Sequence, residues 1–488
     1  MRRTQSLLLA IIALALTASV ALADDTLPPT RQLIKDALAL CNDPEEKYGS
    51  IHSMLAESYV NLGDIAAARA ILGEYKNDFW NQAGYQGCAA LEAELFGSVT
   101  MLPATLWKDD PDFTHWRLAQ AYAKRGDVRK ALEHANGLSV GPATILHLSG
   151  RRLVDLLLAS GDRKAARDVL IRRIGCFAGA KSIDIYHRPE VAVEHDVKLL
   201  IEFGEAERAR SLCQHWQQIA ERETDIDEWG EFIGMSWARL GASWAATGEN
   251  EKAASALGKA REWLDKAKGA ELDPMRDLHH LEYAVSYAVV ASRQRLALAP
   301  DAARDSYERA YESAALTTAT AFQDFGYVKI AREQLKAGDL NSIPETMKRM
   351  MILRHRAEGW REISKHYLEQ GDKQGSLTVA RAAAAELDRD DLETAVARET
   401  ANIAECLAKA GDVEFAQRLF RRAIALSDRH EDPKFDHQWI ACQQVGAGLL
   451  ADAYATIKAI PDPETRLIPL AELAREAAKQ EAKTKRPK

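Results

Sequence analysis

The chain repeats one short pattern, a glycine followed by an acidic residue, eight times between residues 63 and 412. A large aliphatic residue usually stands eight positions before the glycine, a small residue seven before and a bulky one four before, and alanine often follows five after. The glycines are Gly63, Gly126, Gly161, Gly204, Gly248, Gly338, Gly371 and Gly411. Two copies depart from the pattern, because Asp196 replaces a large aliphatic residue and Gln334 replaces a bulky one.

These spacings predict a helix, a tight turn and a second helix. Positions 8, 4 and 0 residues before the glycine share one face of a helix. The glycine can adopt the left-handed conformation that ends a helix, and the acidic residue can cap the next helix. The alanine lets the second helix approach the small residue of the first. Such a pair cannot bury both of its faces alone, so we expect the pairs to stack on one another.

The order of aliphatic, small, bulky, Gly-Asp and Ala positions resembles the tetratricopeptide repeat over most of residues 45–425. The resemblance implies an all-α fold, namely a right-handed α-solenoid or superhelix of about ten helix-turn-helix repeats. A further repeat is expected to turn near Ala299-Pro300-Asp301, with Asp301 as its cap, and a last divergent pair to turn near Gly446 and Gly448.

The repeats are expected to fill residues 24–480, with a polar-faced helix over 462–480 closing the stack and a basic disordered tail over 481–488. Irregular insertions are predicted where the intervals between glycines are long. They lie near residues 79–112, 175–189 and 221–230. In the first insertion we expect a short helix from Cys88 to Phe96 and then a loop.

Residues 1–23 have the layout of a secretory signal peptide. Arg2 and Arg3 precede an apolar run over residues 7–18, and Ala21-Leu22-Ala23 forms a small-x-small cleavage site. The alternative is a retained membrane anchor. No later stretch approaches the ~18 apolar residues that a transmembrane helix needs. We therefore expect export to the periplasm or secretion, with no transmembrane span after signal removal.

Composition and cysteine spacing exclude several functional classes. A net charge of −8 with dispersed basic residues offers no nucleic-acid footprint. The six cysteines form no C-x-x-C motif, so no zinc or redox site is indicated. Cys406 and Cys442 fall at similar places on consecutive first helices and are a possible disulfide. The alternative is that they are buried free thiols.

No catalytic motif has the structural context that it requires. The G-x-S-x-G pattern from Gly137 to Gly141 follows a predicted helix, whereas a nucleophile elbow needs a preceding strand. The histidines are scattered, and no H-E-x-x-H motif occurs. The sequence thus predicts no enzyme activity, no metal site and no cofactor.

A partner is expected in the concave groove that the first helices of tetratricopeptide repeats line. By resemblance, the residues ten and six before each glycine face this groove, where Ala238 and Ala242 make its middle small and apolar. The partner-binding residues predicted from these positions and from the following first helix are Trp116, Gln120, Arg151, Asp155, Lys198, Arg332, Arg361, Lys365, Arg398 and Asn402.

The later members of this set partly resemble the carboxylate clamp of peptide-binding tetratricopeptide proteins. Several cations in one concave site favour an acidic segment or a C-terminal carboxylate as the partner. The alternative is that Glu369 and Glu405 neutralise these cations in surface ion pairs.

Two functional hypotheses follow. The first is an exported, non-catalytic scaffold that binds protein or peptide partners. The second is an enzyme or enzyme subunit of the cell envelope built on an α-superhelix, similar to lytic transglycosylases. The second requires a catalytic domain in addition to the helical repeats, and the repeats with their insertions already fill the chain.

Overall fold

The computed structural model describes residues 27–41, 49–74, 78–102, 111–137, 153–177, 189–222, 226–268, 276–297, 299–387, 396–430 and 432–485. Within these ranges the protein is all-α and contains no strand. The helices are α1 (Thr30–Leu40), α2 (Gly49–Asn61), α3 (Ile65–Glu74), α4 (Asp78–Phe96), α5 (Pro111–Arg125), α6 (Val128–Gly137), α7 (residues 153–159), α8 (Arg163–Phe177), α9 (Pro189–Glu202), α10 (Ala206–Ala220), α11 (Ile226–Ala246), α12 (Asn250–Lys268), α13 (Arg276–Leu296), α14 (Pro300–Ala315), α15 (Thr320–Lys336), α16 (Ile343–Lys348), α17 (Leu353–Glu369), α18 (Lys373–Leu387), α19 (Ala397–Ala410), α20 (Val413–Ser427), α21 (Lys434–Gly446), α22 (Leu450–Ala459) and α23 (Pro463–Lys485).

Twenty of these helices form ten helix-turn-helix pairs, which confirms the predicted all-α solenoid class. The pairs are α2/α3, α5/α6, α7/α8, α9/α10, α11/α12, α13/α14, α15/α16, α17/α18, α19/α20 and α21/α22. The predicted signal peptide lies outside the described residues. Among the helices that are described, none combines the length and the apolar character needed to cross a membrane.

The turns form as the sequence predicts. All eight turn glycines have a positive φ, from 68° at Gly338 to 109° at Gly411. The backbone N–H of the following acidic residue donates to the carbonyl of the bulky residue, as in the 2.9 Å bond from Asp64 to Tyr59. Five of the aspartates also accept a hydrogen bond from the N–H three residues on, which caps the second helix. They are Asp64, Asp127, Asp162, Asp372 and Asp412.

The two divergent pairs turn where the sequence predicts. Ala299 N–H donates to the Gln294 carbonyl at 2.9 Å, as the acidic residues do elsewhere. The predicted cap is wrong, however, because α14 begins at Pro300 with Ala299 at its N-cap position and no side-chain cap. Asp301 lies two residues past the N-cap position, too late to cap, and contributes only its charge near the helix N-terminus. In the last pair, Gly448 has a φ of 78°.

Small residues bring the two helices of each pair together. Ala56 and Ala68, the small residues before and after the first turn glycine, are fully buried. At Gly241 even a methyl group would not fit, because a Cβ there would lie 2.6 Å from Leu257 Cγ. Two serines replace the alanines in one pair, and their hydroxyls lie 2.7 Å apart. These close approaches fix the spacing of the pairs and bury the core between them.

Both departures from the pattern place polar groups in the core. Asp196 is fully buried, and its Oδ1 lies 3.4 Å from Nη1 of Arg173, which is 1% exposed. Gln334 is 1% exposed and donates to the Tyr311 hydroxyl at 2.8 Å. In each case a polar partner from a neighbouring helix accompanies the substituted residue.

The chain forms two compact units. The central unit contains Ala89–Val379, and the terminal unit contains the residues up to Cys88 and from Ala380 onward. In the central unit the first helices α9, α11, α13, α15 and α17 contact one another in sequence. These five helices therefore stack as the repeat predicts, with each first helix beside the next.

The terminal unit corrects the prediction of a polar helix that closes the stack. Helix α23 packs against α21 and also against α1 and α2. Nine of its residues are buried, and Arg475 lies 3.7 Å from Glu57 of α2. The first and last repeats thus cover each other's apolar faces, so no polar cap is needed. The helix also continues to Lys485, five residues into the predicted disordered tail, where Lys485 pairs with Glu481.

Two predicted insertions contain more helix than expected. In the first, α4 begins at Asp78 and not near Cys88. In the third, α11 begins at Ile226, so half of the predicted connection over 221–230 belongs to a long first helix. Most of the second insertion, residues 178–188, lies outside the described residues.

Candidate functional site

The candidate site is the surface formed by residues ten, nine, six and five before each turn, which we call the first-helix face. These positions share one side of each first helix, next to the side that packs on the second helix. In α11 this face carries Ala238 and Ala242, which were expected to line an open groove. The structure buries both, at 0% and 5% exposure. Val328 and Ala401, at the same positions of other first helices, are also buried.

Charged side chains cover this part of the face in the central unit. Nε of Arg293, on α13, lies 2.9 Å from Oε2 of Glu194, on α9. These two helices belong to repeats that are two apart, and α11 contacts both. The side chains can meet over α11 because its residues there are alanines. Arg293 also lies 3.4 Å from Glu333 of α15, so one arginine joins three repeats.

The predicted residue Lys198 belongs to this network. Its Nζ lies 3.0 Å from Glu194, and both are on α9. Burial alone would raise the pKa of Glu194, but Arg293, Lys198 and Arg239 outweigh it and hold that pKa below its usual range. Glu194 is therefore ionised. It neutralises Lys198, which the sequence predicts to be available to a partner.

A second carboxylate neutralises two more of the predicted cations. Glu362 lies 3.0 Å from Arg332 and 3.1 Å from Arg361. The neutralising residue is thus Glu362 and not Glu369, because Glu362 stands on the first-helix face beside both arginines. Lys365 is half-buried and makes no ion pair with any residue that the structure describes.

The remaining predicted residues of the central unit have varied environments. Trp116 is half-buried and packs on Phe113, with 5.2 Å between ring centroids. Gln120 is buried, and its Nε2 has no hydrogen-bond partner in the part of the chain that is described. Asp155 lies 3.3 Å from His195 on the next first helix. Arg151 lies outside the described residues.

Arg398 and Asn402 belong to the terminal unit. Arg398 pairs with Asp436 of α21 at 2.6 Å. Asn402 is buried and accepts a hydrogen bond of 3.0 Å from Nε1 of Trp439, also on α21. The two residues therefore connect neighbouring first helices. Glu405, the other acid expected to neutralise the cations, pairs with Lys409 on its own helix.

Sequence reasoning missed an exposed aromatic pair on α21, of which Trp439, nine residues before the turn, lies on the first-helix face. Trp439 is 39% exposed, and Phe435, one turn earlier on α21, is 53% exposed. Their spacing offers a signal that could have found them. Both fall outside the core positions of their repeat, which are filled by Ile440 and Gln444. An aromatic pair four residues apart and off the core positions must lie on another side of the helix.

No group of three or more His, Cys, Asp or Glu residues within the described ranges could hold a metal ion. No disulfide joins Cys406 and Cys442 in the structure, and the Cys406 side chain is buried whereas Cys442 is half-buried. Burial raises the pKa of the Cys442 thiol, and the nearby Glu472 raises it further.

Comparisons with known proteins add little to this description. No family model matches the chain, and no curated protein matches it. Among solved structures, Ton1535 from Thermococcus onnurineus NA1 aligns at 14% identity and a TM-score of 0.31, covering 67% of this chain and 99% of its own. A circular tandem repeat protein with novel repeat topology aligns at 13% identity and a TM-score of 0.22, covering 93% of each chain.

The TPR domain of P58(IPK) aligns at 14% identity and a TM-score of 0.16, covering 77% of this chain and 99% of its own. TM-scores this low carry no inference about binding. The assignment of a tetratricopeptide-like repeat fold therefore rests on the turns, caps and buried small residues described above.

Proposed function

We propose that the chain is an exported, non-catalytic scaffold that binds protein partners through its first-helix face. The observation that carries this proposal is the aromatic pair Phe435 and Trp439 on α21. Exposed tryptophan is among the residues that most often dominate binding energy in protein interfaces. The hydrogen bond from Trp439 to Asn402 fixes the orientation of the indole, which reduces the entropy lost on binding.

Charged residues lie beside this aromatic pair and form a polar rim. Arg398 and Asp436 form an ion pair beside it. Arg398 lies on the helix that carries Asn402, and Asp436 lies on the helix that carries Trp439. Interfaces commonly surround an aromatic anchor with polar residues that exclude water. In the central unit the alanines of the face are buried and the arginines are paired with carboxylates. Fewer unpaired cations therefore remain for an acidic partner than the sequence predicts.

The test is co-purification from the native envelope, with the full chain as bait, followed by titration calorimetry with the partner. We expect Trp439→Ala to weaken binding by at least about 2 kcal/mol, or roughly thirtyfold. Val413→Ala is the matched control, because it truncates an exposed apolar side chain of the same unit. Equal affinities for both variants would refute the assignment of the contact surface.

The predicted contribution of the cations has its own test. The double variant Arg361→Glu with Lys365→Glu should weaken binding if an acidic segment docks there. Lys266→Glu is the control, because Lys266 is an exposed residue of a second helix. Turnover of peptidoglycan by the purified chain would contradict the non-catalytic proposal.

Export is supported by the charged and apolar layout of residues 1–23. Mass spectrometry of the protein from an envelope fraction tests it. We expect a mature chain that begins at Asp24. Recovery of the intact N-terminus in the cytoplasmic fraction would contradict export.

A further inference from the structure

Among the eight repeats whose turn carries a glycine and an acidic residue, α15/α16 departs most from the pattern. Gln334 replaces the bulky residue before its turn, and Ile343 replaces the alanine after it. Its second helix has only 6 residues, whereas the other second helices have at least 10. Because α16 is short, it leaves part of α14 uncovered. A cavity of about 500 Å³ opens between them, which is within the usual size range of small-molecule sites.

The floor of this cavity is polar and internally satisfied. The Tyr311 hydroxyl lies 2.7 Å from Thr346 Oγ1 and accepts from Gln334 Nε2 at 2.8 Å. Thr346 in turn donates to Gln334 Oε1 at 2.8 Å. These three side chains hold one another in place, so they shape the cavity and do not compete for a ligand.

Tyr307 of α14 also lines this cavity, but it does not belong to this hydrogen-bonded group. Its side chain is 94% buried, since 6% remains exposed, and its hydroxyl has no hydrogen-bond partner in the described chain. Burial, with the nearby Asp339 and Glu333, raises the pKa of Tyr307, so the hydroxyl stays neutral. A buried hydroxyl without a partner destabilises the protein unless something else satisfies it.

Two charges on the lining are free of ion pairs in the described chain. Arg349 stacks over the Tyr311 ring at 4.2 Å and makes no ion pair, and neither does Glu308 of α14. The other charged lining residues are neutralised by protein groups. Their pairs are Arg295 with Asp339 at 3.3 Å, Arg304 with Asp301 at 3.5 Å and Glu345 with Lys348 at 2.7 Å.

We propose that this cavity binds a small zwitterion, namely a free amino acid or a dipeptide with both termini unmodified. The ligand carboxylate pairs with Arg349, its ammonium pairs with Glu308, and the Tyr307 hydroxyl hydrogen-bonds its backbone. One unpaired charge of each sign, together with a buried free hydroxyl, selects against a purely anionic or purely cationic ligand. This site is separate from the proposed protein-binding surface and does not depend on it.

Titration calorimetry with the full chain tests the proposal. The probes are the free amino acids and a set of dipeptides, followed by the N-acetyl derivative and the C-terminal amide of the tightest binder. We expect each modification to weaken binding by about ten- to hundredfold, because each removes one charge-assisted contact. Failure of every unmodified probe to bind at millimolar concentration overturns the proposal, as does equal binding of the modified ones.

Three variants locate the site. Arg349→Gln should weaken the free dipeptide by about ten- to hundredfold, but it should not weaken the C-terminal amide further. Lys373→Gln is the control, because it removes an exposed cation of α18 that neither lines the cavity nor pairs with a lining residue. Tyr307→Phe should weaken binding while leaving the Tm of the ligand-free protein unchanged or higher. Binding unaffected by both Arg349→Gln and Tyr307→Phe would place the ligand elsewhere and overturn the assignment.

Discussion

The buried pair of Arg173 and Asp196 provides the sharpest test of how this core is built. Asp196 occupies the position where seven other repeats carry leucine or isoleucine. The carboxylate is fully buried and the guanidinium is 1% exposed, with 3.4 Å between Oδ1 and Nη1. Removing either charge would leave the other in an environment with little water, where solvation cannot replace the lost attraction.

The expected magnitude follows from this burial. Asp196→Ala should lower the free energy of unfolding of this region by about 3–5 kcal/mol, because the guanidinium stays buried without this carboxylate. Asp196→Leu combined with Arg173→Leu should be close to neutral, or stabilising by up to about 4 kcal/mol, because two apolar side chains then fill the space. Asp168→Ala on α8 is the control. Its pair with Lys164 is largely exposed, so the cost should stay below about 0.5 kcal/mol.

The assay must resolve the region, since stacked repeats in two units need not unfold in one step. Native-state hydrogen exchange on α8 and α9, together with urea unfolding followed by circular dichroism, gives the local and the overall change. A loss below about 1 kcal/mol for Asp196→Ala would show that the pair is not desolvated as argued. We argue that the core needs these charges to be paired and does not need the charges themselves. A double leucine variant that is as unstable as Asp196→Ala would refute this.

Two further predictions concern packing and pH. Gly241→Ala should destabilise by about 1–3 kcal/mol, because its Cβ would lie 2.6 Å from Leu257 Cγ. By contrast, Gly258→Ala, with nothing within 4 Å, should stabilise by about 1 kcal/mol, and equal urea midpoints for the two variants would contradict this reasoning. Burial and the adjacent His115 lower the pKa of His134, so the unfolded chain binds a proton that the folded chain does not, and stability should fall as pH drops through about 6.5. His134→Gln should lose less Tm than the wild type between pH 7.5 and 5.5, and identical losses would refute this.

The repeat pattern predicts local geometry well because it encodes short-range constraints. A positive φ needs glycine, and a close approach of helices needs a small side chain, so both leave direct marks in the sequence. The turn after Gly63 and the unmarked turn at Ala299 were both predicted from spacing. Spacing does not determine which position caps a helix, as Asp301 shows, since it lies two residues past the N-cap and makes no capping hydrogen bond.

Contacts between distant repeats could not be predicted in the same way. Whether Ala238 lies in an open groove depends on how closely the helices on either side approach, and that distance depends on many side chains at once. Glu194 and Arg293 are 99 residues apart, and nothing in either repeat alone signals their pairing. The same holds for the contact of Arg475 with Glu57, which joins the last helix to the first complete repeat.

Both exceptions in the pattern have polar partners within the protein, but only Gln334 borders a cavity, and this difference shows where ligands should be sought. At Asp196 the neighbouring helix supplies Arg173, and the polar group is neutralised inside the core. At Gln334 the second helix of the repeat is short, so the polar side chains border a cavity that includes the buried hydroxyl of Tyr307. Selection for stability alone favours the consensus residues at both places, because buried polar groups rarely add net stability. A polar exception that the protein itself satisfies can be explained by fold specificity, whereas the Tyr307 hydroxyl, which no described group satisfies, is better explained by a ligand in the cavity.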